Sequence, residues 1–162
     1  MDNDERDGLC RRQFLQSAGC FSVSLALLGV GAAEARALPV YITAGVQTGG
    51  ERRYPIPSAD GVNVDRSANL ILVRFQNHMY VFSLSCPHQN NAVKWVPKDL
   101  QFQCTKHDSH YQPDGLHVSG RATRNMDRYV IRKENDEVVV DLHHWIQSDK
   151  DPAGWAAATI AL

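Results

Sequence analysis

Four side chains in the middle of this sequence are spaced as metal donors. Cys86-Pro87-His88 is followed, after fifteen residues, by Cys104-Thr105-Lys106-His107, so each short segment supplies one thiol and one imidazole. Three chemistries suit such a set. Two thiolates and two imidazoles satisfy tetrahedral zinc, although zinc knuckles usually pair Cys with Cys and His with His. A disulfide between Cys86 and Cys104 would use both thiols of an exported protein and leave both histidines without a role. A 2Fe–2S cluster that takes two thiolates on one iron and two imidazoles on the other uses all four residues, each segment giving one ligand to each iron. The spacing favours this last reading.

Both donor segments begin just after an apolar run, where loops start. From Leu38 onward the chain consists of short apolar runs bounded by turn residues, with no sustained helical period. A strand is predicted at Val40–Ile42, then an irregular stretch punctuated by Gly49, Gly50, Pro55, Pro57 and Gly61. Leu70–Phe75 and Met79–Leu84 flank Gln76-Asn77-His78 as a hairpin, and Tyr129–Arg132 and Val138–Leu142 form a second around Asn135-Asp136. Shorter strands are predicted at Phe102 and at Leu116–Val118, between the hairpins and beside the donors. The expected class is all-β, a small sandwich or barrel. The tail, residues 143–162, carries little pattern beyond a helical turn or two within Ala153–Ala161.

Residues 1–37 read as an export signal, not as part of the fold. Arg11-Arg12-Gln13-Phe14-Leu15 precedes an apolar stretch, Ala18–Ala33, that closes on the small-x-small pattern Ala35-Arg36-Ala37. The paired arginines resemble a bacterial twin-arginine signal. That route exports folded proteins, which suits a cofactor inserted beforehand. The apolar stretch falls short of the roughly 20 residues a spanning helix needs, so cleavage before Leu38 is expected; an uncleaved leader would leave the protein associated with the membrane. Cys10 and Cys20 lie in this leader, which leaves Cys86 and Cys104 in the body. Lysine plus arginine number 17 against 18 aspartate plus glutamate, and no basic stripe interleaved with aromatics appears, so no nucleic-acid partner is expected.

The two donor boxes, together with Asp108-Ser109-His110-Tyr111-Gln112-Pro113-Asp114-Gly115 and Gly120-Arg121-Ala122, resemble the Rieske iron–sulfur subunits of cytochrome bc-type quinol–cytochrome c oxidoreductases. The likeness spans about residues 64 to 142. It implies a Rieske fold of three small antiparallel sheets over residues 38–142, with a cluster-binding subdomain (loops about 85–122) inserted in a base domain. It implies one 2Fe–2S cluster held by Cys86, His88, Cys104 and His107, with the Ser109 and Tyr111 hydroxyls donating to sulfur and raising the potential. His110 has the wrong spacing from Cys104 to replace His107.

The sequence also departs from that family. Asn91 and Lys106 stand where the quinol-oxidising members carry a second cysteine pair, so their disulfide cannot form here. Gln89 replaces a shielding leucine, Asp108 a glycine, and Arg121 the proline of the later loop. His78, His117, His143 and His144 are expected in solvent-facing roles, and Trp95, Trp145 and Trp155 in packing.

No nucleophile or open metal site accompanies the donors, so the expected function is one-electron transfer, as a carrier or an oxidoreductase subunit. The expected location is the periplasm or the outer face of the cytoplasmic membrane. The expected partners are a c-type cytochrome and a quinol-oxidising membrane complex or other redox assembly. A catalytic subunit of a quinol–cytochrome c oxidoreductase and an exported zinc-stabilised binding module are the alternatives.

Overall fold

In the computed structural model the described residues are 37–162; the export signal expected at residues 1–37 lies outside them except for Ala37. The expected all-β class holds: the described residues form thirteen strands, one short 3-10 turn and one short helix. No helix among the described residues is long and apolar enough to cross a membrane.

The first layer comprises β1 (Val40–Ile42), β4 (Gly61–Asp65), β5 (Leu70–Phe75) and β6 (His78–Ser83). β1 runs parallel to β4; the other pairs are antiparallel. The second layer comprises β2 (Val46–Thr48), β3 (Glu51–Pro55), β11 (Arg128–Glu134) and β12 (Glu137–Ile146). A single registered pair, Arg128 opposite Phe82, joins the two layers into one nine-stranded path that also takes in β13 (Ile160–Ala161) against β6. The third layer is a separate four-stranded antiparallel sheet: β7 (Val93–Val96), β8 (Gln101–Cys104), β9 (His110–Tyr111) and β10 (His117–Ser119). In sequence it is inserted between β6 and β11, as the resemblance implied.

The β5 sequence explains the stacking. Leu70, Ile71, Leu72 and Val73 are all buried because both faces of the strand are covered. Leu70 and Leu72 point into one core with Tyr54, Met79, Val81, Tyr129, Val138 and Val140. Ile71 and Val73 point the other way, with Phe82, Val93, Phe102, Tyr111, Cys86 and Cys104. The donor cysteines are therefore rooted in a core, and each fully buried aliphatic side chain of β5 contributes about 1.5–3 kcal/mol to the core it enters.

The hairpin turn between β5 and β6 uses Gln76 (φ 50°) and Asn77 (φ 60°), the left-handed pair of a two-residue type I′ connection. β12 runs on to Ile146, beyond the expected Leu142. The tail then forms α1 (Pro152–Ala157), whose first turn is capped by the Asp151 carboxylate accepting from the Gly154 amide at 2.8 Å. Arg128 anchors this helix: its guanidinium stacks 3.6 Å from the Trp155 ring and donates to the Trp155 and Asp114 carbonyls, each at 2.7 Å. Of the three tryptophans expected in packing, Trp155 is buried and Trp95 packs edge-on against Phe102 at 4.7 Å. Trp145 is a correction: it stands opposite Tyr129 at the far end of β12 and is 54% exposed, because no layer covers the strand there.

Candidate metal centre

Two tight loops carry the four donors. In the first, Cys86 N–H donates to the Asn91 carbonyl at 2.7 Å and Asn90 N–H to the Cys86 carbonyl at 2.9 Å, with Asn90 left-handed (φ 55°). In the second, Cys104 N–H donates to the Ser109 carbonyl at 2.8 Å and Asp108 is left-handed (φ 55°). Asn and Asp are the side chains that tolerate this conformation best after glycine, which suits Asn90 and Asp108 to these turns. Hydrogen bonds tie the two loops together. Thr105 donates to the Ala92 carbonyl twice, from its amide at 3.0 Å and its hydroxyl at 2.9 Å.

A third segment presses on the second loop. Gly120 (φ +94°) lies so close to Asp108 and Ser109 that a Cβ there would overlap the Asp108 carbonyl oxygen. Two residues later, the Ala122 amide donates to Ser109 Oγ at 3.0 Å.

The six residues expected at the site lie on the two loops and on β9, and the Ser109 hydroxyl is placed as acceptor from the Ala122 amide. Cys86 and Cys104 are both free and buried in the same core cluster. Tyr111, fully buried behind them, places its hydroxyl 3.2 Å from Cys86 Sγ. Burial raises the Cys104 thiol, but the Lys106, His107 and Ser109 amides and the Cys86 thiol outweigh it and hold Cys104 below its ordinary value. That nest of donors favours thiolate. Burial and the neighbouring Cys86 push the Tyr111 hydroxyl up, so it stays a protonated donor.

His88 and His107, both half-buried, lie on the outer side. Their Nδ1 atoms face each other at 3.3 Å with the rings nearly perpendicular. Desolvation and the charges of His88, Arg121 and Lys106 push the His107 imidazole down, towards the neutral form a ligand needs. His110 does not join them; its two ring nitrogens are bonded to Gln101 at 3.1 Å and Asp108 at 3.0 Å.

The donors thus form two pairs, sulfur with sulfur inside and nitrogen with nitrogen outside. Among the described residues no three His, Cys, Asp or Glu side chains are close enough together to hold one metal ion. A two-iron group with its thiolates on one iron and its imidazoles on the other fits this donor set; a single tetrahedral zinc needs all four around one point. Sequence reasoning missed the Thr105–Ala92 tie and the Asn91 amide, whose nitrogen is 3.4 Å from His107 Nδ1. A threonine beside a ligand cysteine is too common a pattern to have signalled the tie.

No family model matches the chain, and no curated protein matches it. Among solved structures the chain is similar to the cyanobacterial plasma membrane Rieske protein PetC3 from Synechocystis PCC 6803, with 18% identity, a TM-score of 0.42, and coverage of 60% of this chain and 98% of that one.

Proposed function

We propose that this chain is an exported Rieske-type protein that holds one 2Fe–2S cluster on Cys86, His88, Cys104 and His107 and transfers single electrons. The observation that carries the reading is the division of the donors into a buried thiol pair and an outer imidazole pair, with the facing Nδ1 atoms 3.3 Å apart. When bound, the cluster supplies a reversible one-electron couple. The chain's own residues do the rest. The Lys106, His107 and Ser109 amides stabilise thiolate at Cys104, the Tyr111 hydroxyl donates towards Cys86, and the β5–β6 core keeps water from the sulfur side. The imidazole edges are the exposed side, through which an electron enters or leaves.

Export by the twin-arginine route and action in the periplasm, between a quinol-oxidising or other redox assembly and a c-type cytochrome, belong to the same proposal. They rest on Arg11-Arg12 and Ala35-Arg36-Ala37 and on the lack of a substrate-activating group beside the donors. Purified protein is expected to contain about two irons and two acid-labile sulfides per chain. Single replacement of any of the four ligands abolishes or converts the cluster, whereas His110→Ala leaves it. A stoichiometric zinc without iron, from an iron-replete host, rejects the proposal. The exported protein is expected to begin at Leu38, and an intact leader on it would favour the membrane-anchored form.

A further inference from the structure

Cationic side chains flank the imidazole pair, and the charges of Lys106 and Arg121 act on His107. Lys106 lies in the second donor loop, between Cys104 and His107, and is exposed. Arg121 is exposed and lies between Gly120, which packs on the Asp108–Ser109 backbone, and Ala122, which donates to Ser109 Oγ. Its backbone is therefore clamped against the same loop. Lys94, also exposed, stands opposite Gln103, whose amide bonds Asp108. Within 86–92, 104–110 and 119–123 the one carboxylate is Asp108, already engaged by Gln103 and His110. Gln89, next to His88, is exposed and polar. An uncharged apolar quinol gains nothing from such a rim.

We propose that Lys106, Arg121 and Lys94 form a cationic docking surface around His88 and His107 for a redox protein with a carboxylate-rich face, specifically an acidic c-type cytochrome. This rests on the cluster reading above. The three cations come from separate segments, β7, the second donor loop and the third segment, so a protein face can engage them together where a small anion would meet one or two. In the complex one electron passes from the reduced centre to the partner's ferric haem, which becomes ferrous; no bond breaks and no proton is required.

The test begins with iron and sulfide content, then measures oxidation of the dithionite-reduced, iron-loaded protein by an acidic and by a basic c-type cytochrome. Salt is varied from about 0.01 M to about 1 M, which shortens the screening length from about 30 Å to about 3 Å. The rate with the acidic cytochrome is expected to fall on the order of tenfold or more with salt and to exceed the basic one at low salt. K106E/R121E removes most of this advantage, K106Q/R121Q part of it, and Lys133→Glu, in β11, none. Carbodiimide coupling followed by mass spectrometry is expected to join Lys106 to a cytochrome carboxylate. An iron-loaded protein with a flat salt profile, or a preference for the basic cytochrome, overturns the docking surface and leaves the cluster standing. So does salt-sensitive binding to phosphatidylglycerol vesicles that K106E/R121E abolishes while the cytochrome rate is unchanged. Zinc in place of iron overturns both.

Discussion

The Tyr111 hydroxyl lies 3.2 Å from the Cys86 sulfur, and neither side chain reaches solvent. A donor aimed at a thiolate stabilises the reduced, more negative state more than the oxidised one. In the proposed ligand set, two thiolates and two neutral imidazoles carry two fewer negative charges than four thiolates would, which favours an added electron and a midpoint on the order of 0 to +200 mV at pH 7. Tyr111→Phe removes the donor and keeps the ring in its core. The expected result is a fall of about 1 kcal/mol in reduction free energy, about 40 mV for one electron, with iron content unchanged. Voltammetry of both proteins checks it, and an unchanged midpoint would show that the hydroxyl does not act on sulfur.

Thr105 ties the two donor loops to each other. Its amide and hydroxyl both donate to the Ala92 carbonyl, and Thr105→Val keeps the shape and the amide while deleting the hydroxyl. A hydrogen bond of this kind contributes about 0.5–1.5 kcal/mol, so iron release to a chelator is expected to quicken roughly two- to tenfold. Equal release rates in the two proteins would place the tie in the amide alone.

Much of this was legible because chemistry and periodicity constrain it locally. The four candidate donors were picked out by their spacing, and the structure brings the two histidines face to face and buries the two cysteines in one core; β5 and β6 were read from an apolar run broken by Gln76-Asn77. The β3 strand was not legible, since Glu51-Arg52-Arg53 has no apolar face to read. Its pairing with β12 and β2 supplies the backbone bonds, and its charges are satisfied across the sheet by Asp65, Arg132 and Glu134. The tail was opaque for a similar reason: Trp155 and Arg128 meet through carbonyls and ring faces, which leave no sequence signature. Asp65 was missed although Asp65-Arg66-Ser67 is a recognisable Asx-turn pattern.

Asp65 makes stability depend on acid. Its buried carboxylate accepts from Tyr54 at 2.8 Å, from the Ser67 hydroxyl and amide at 2.6 and 2.9 Å, from the Gly45 and Ala68 amides, and from Arg52. Desolvation pushes the carboxyl up, but the Ser67, Tyr54, Gly45 and Ala68 bonds outweigh it and hold it well below the usual range. The folded value is the lower one, so this contribution is complete above the unfolded value of about 3.9. It is lost progressively as pH falls below that value towards the folded one. Asp65→Asn is expected to cost about 3–5 kcal/mol at neutral pH by stranding Arg52, and to flatten the loss of stability between about pH 4 and pH 2. Chemical denaturation of both proteins across that range checks the slope; parallel curves would assign acid lability to other carboxylates.

Gly120 is the residue through which the third segment supports the second donor loop. Its φ of +94° lies in the left-handed region, and its α-carbon abuts the Asp108 carbonyl and the Ser109 backbone. Gly120→Ala meets both obstacles together, an unfavourable conformation and a methyl group inside the backbone of the neighbouring loop. Backbone cannot yield as a side-chain tip can, so the loop itself must move. The Ala122 amide then loses Ser109 Oγ as its acceptor. The damage is expected at the site before the fold, because the atoms nearest to an added Cβ all belong to Asp108 and Ser109 of the second donor loop. Far-ultraviolet circular dichroism should remain that of the parent, while iron content falls by at least about half and residual cluster spectra broaden, as expected when the shell supporting a ligand loosens. An alanine variant with full iron and a parental spectrum would show that the close packing of Gly120 is dispensable.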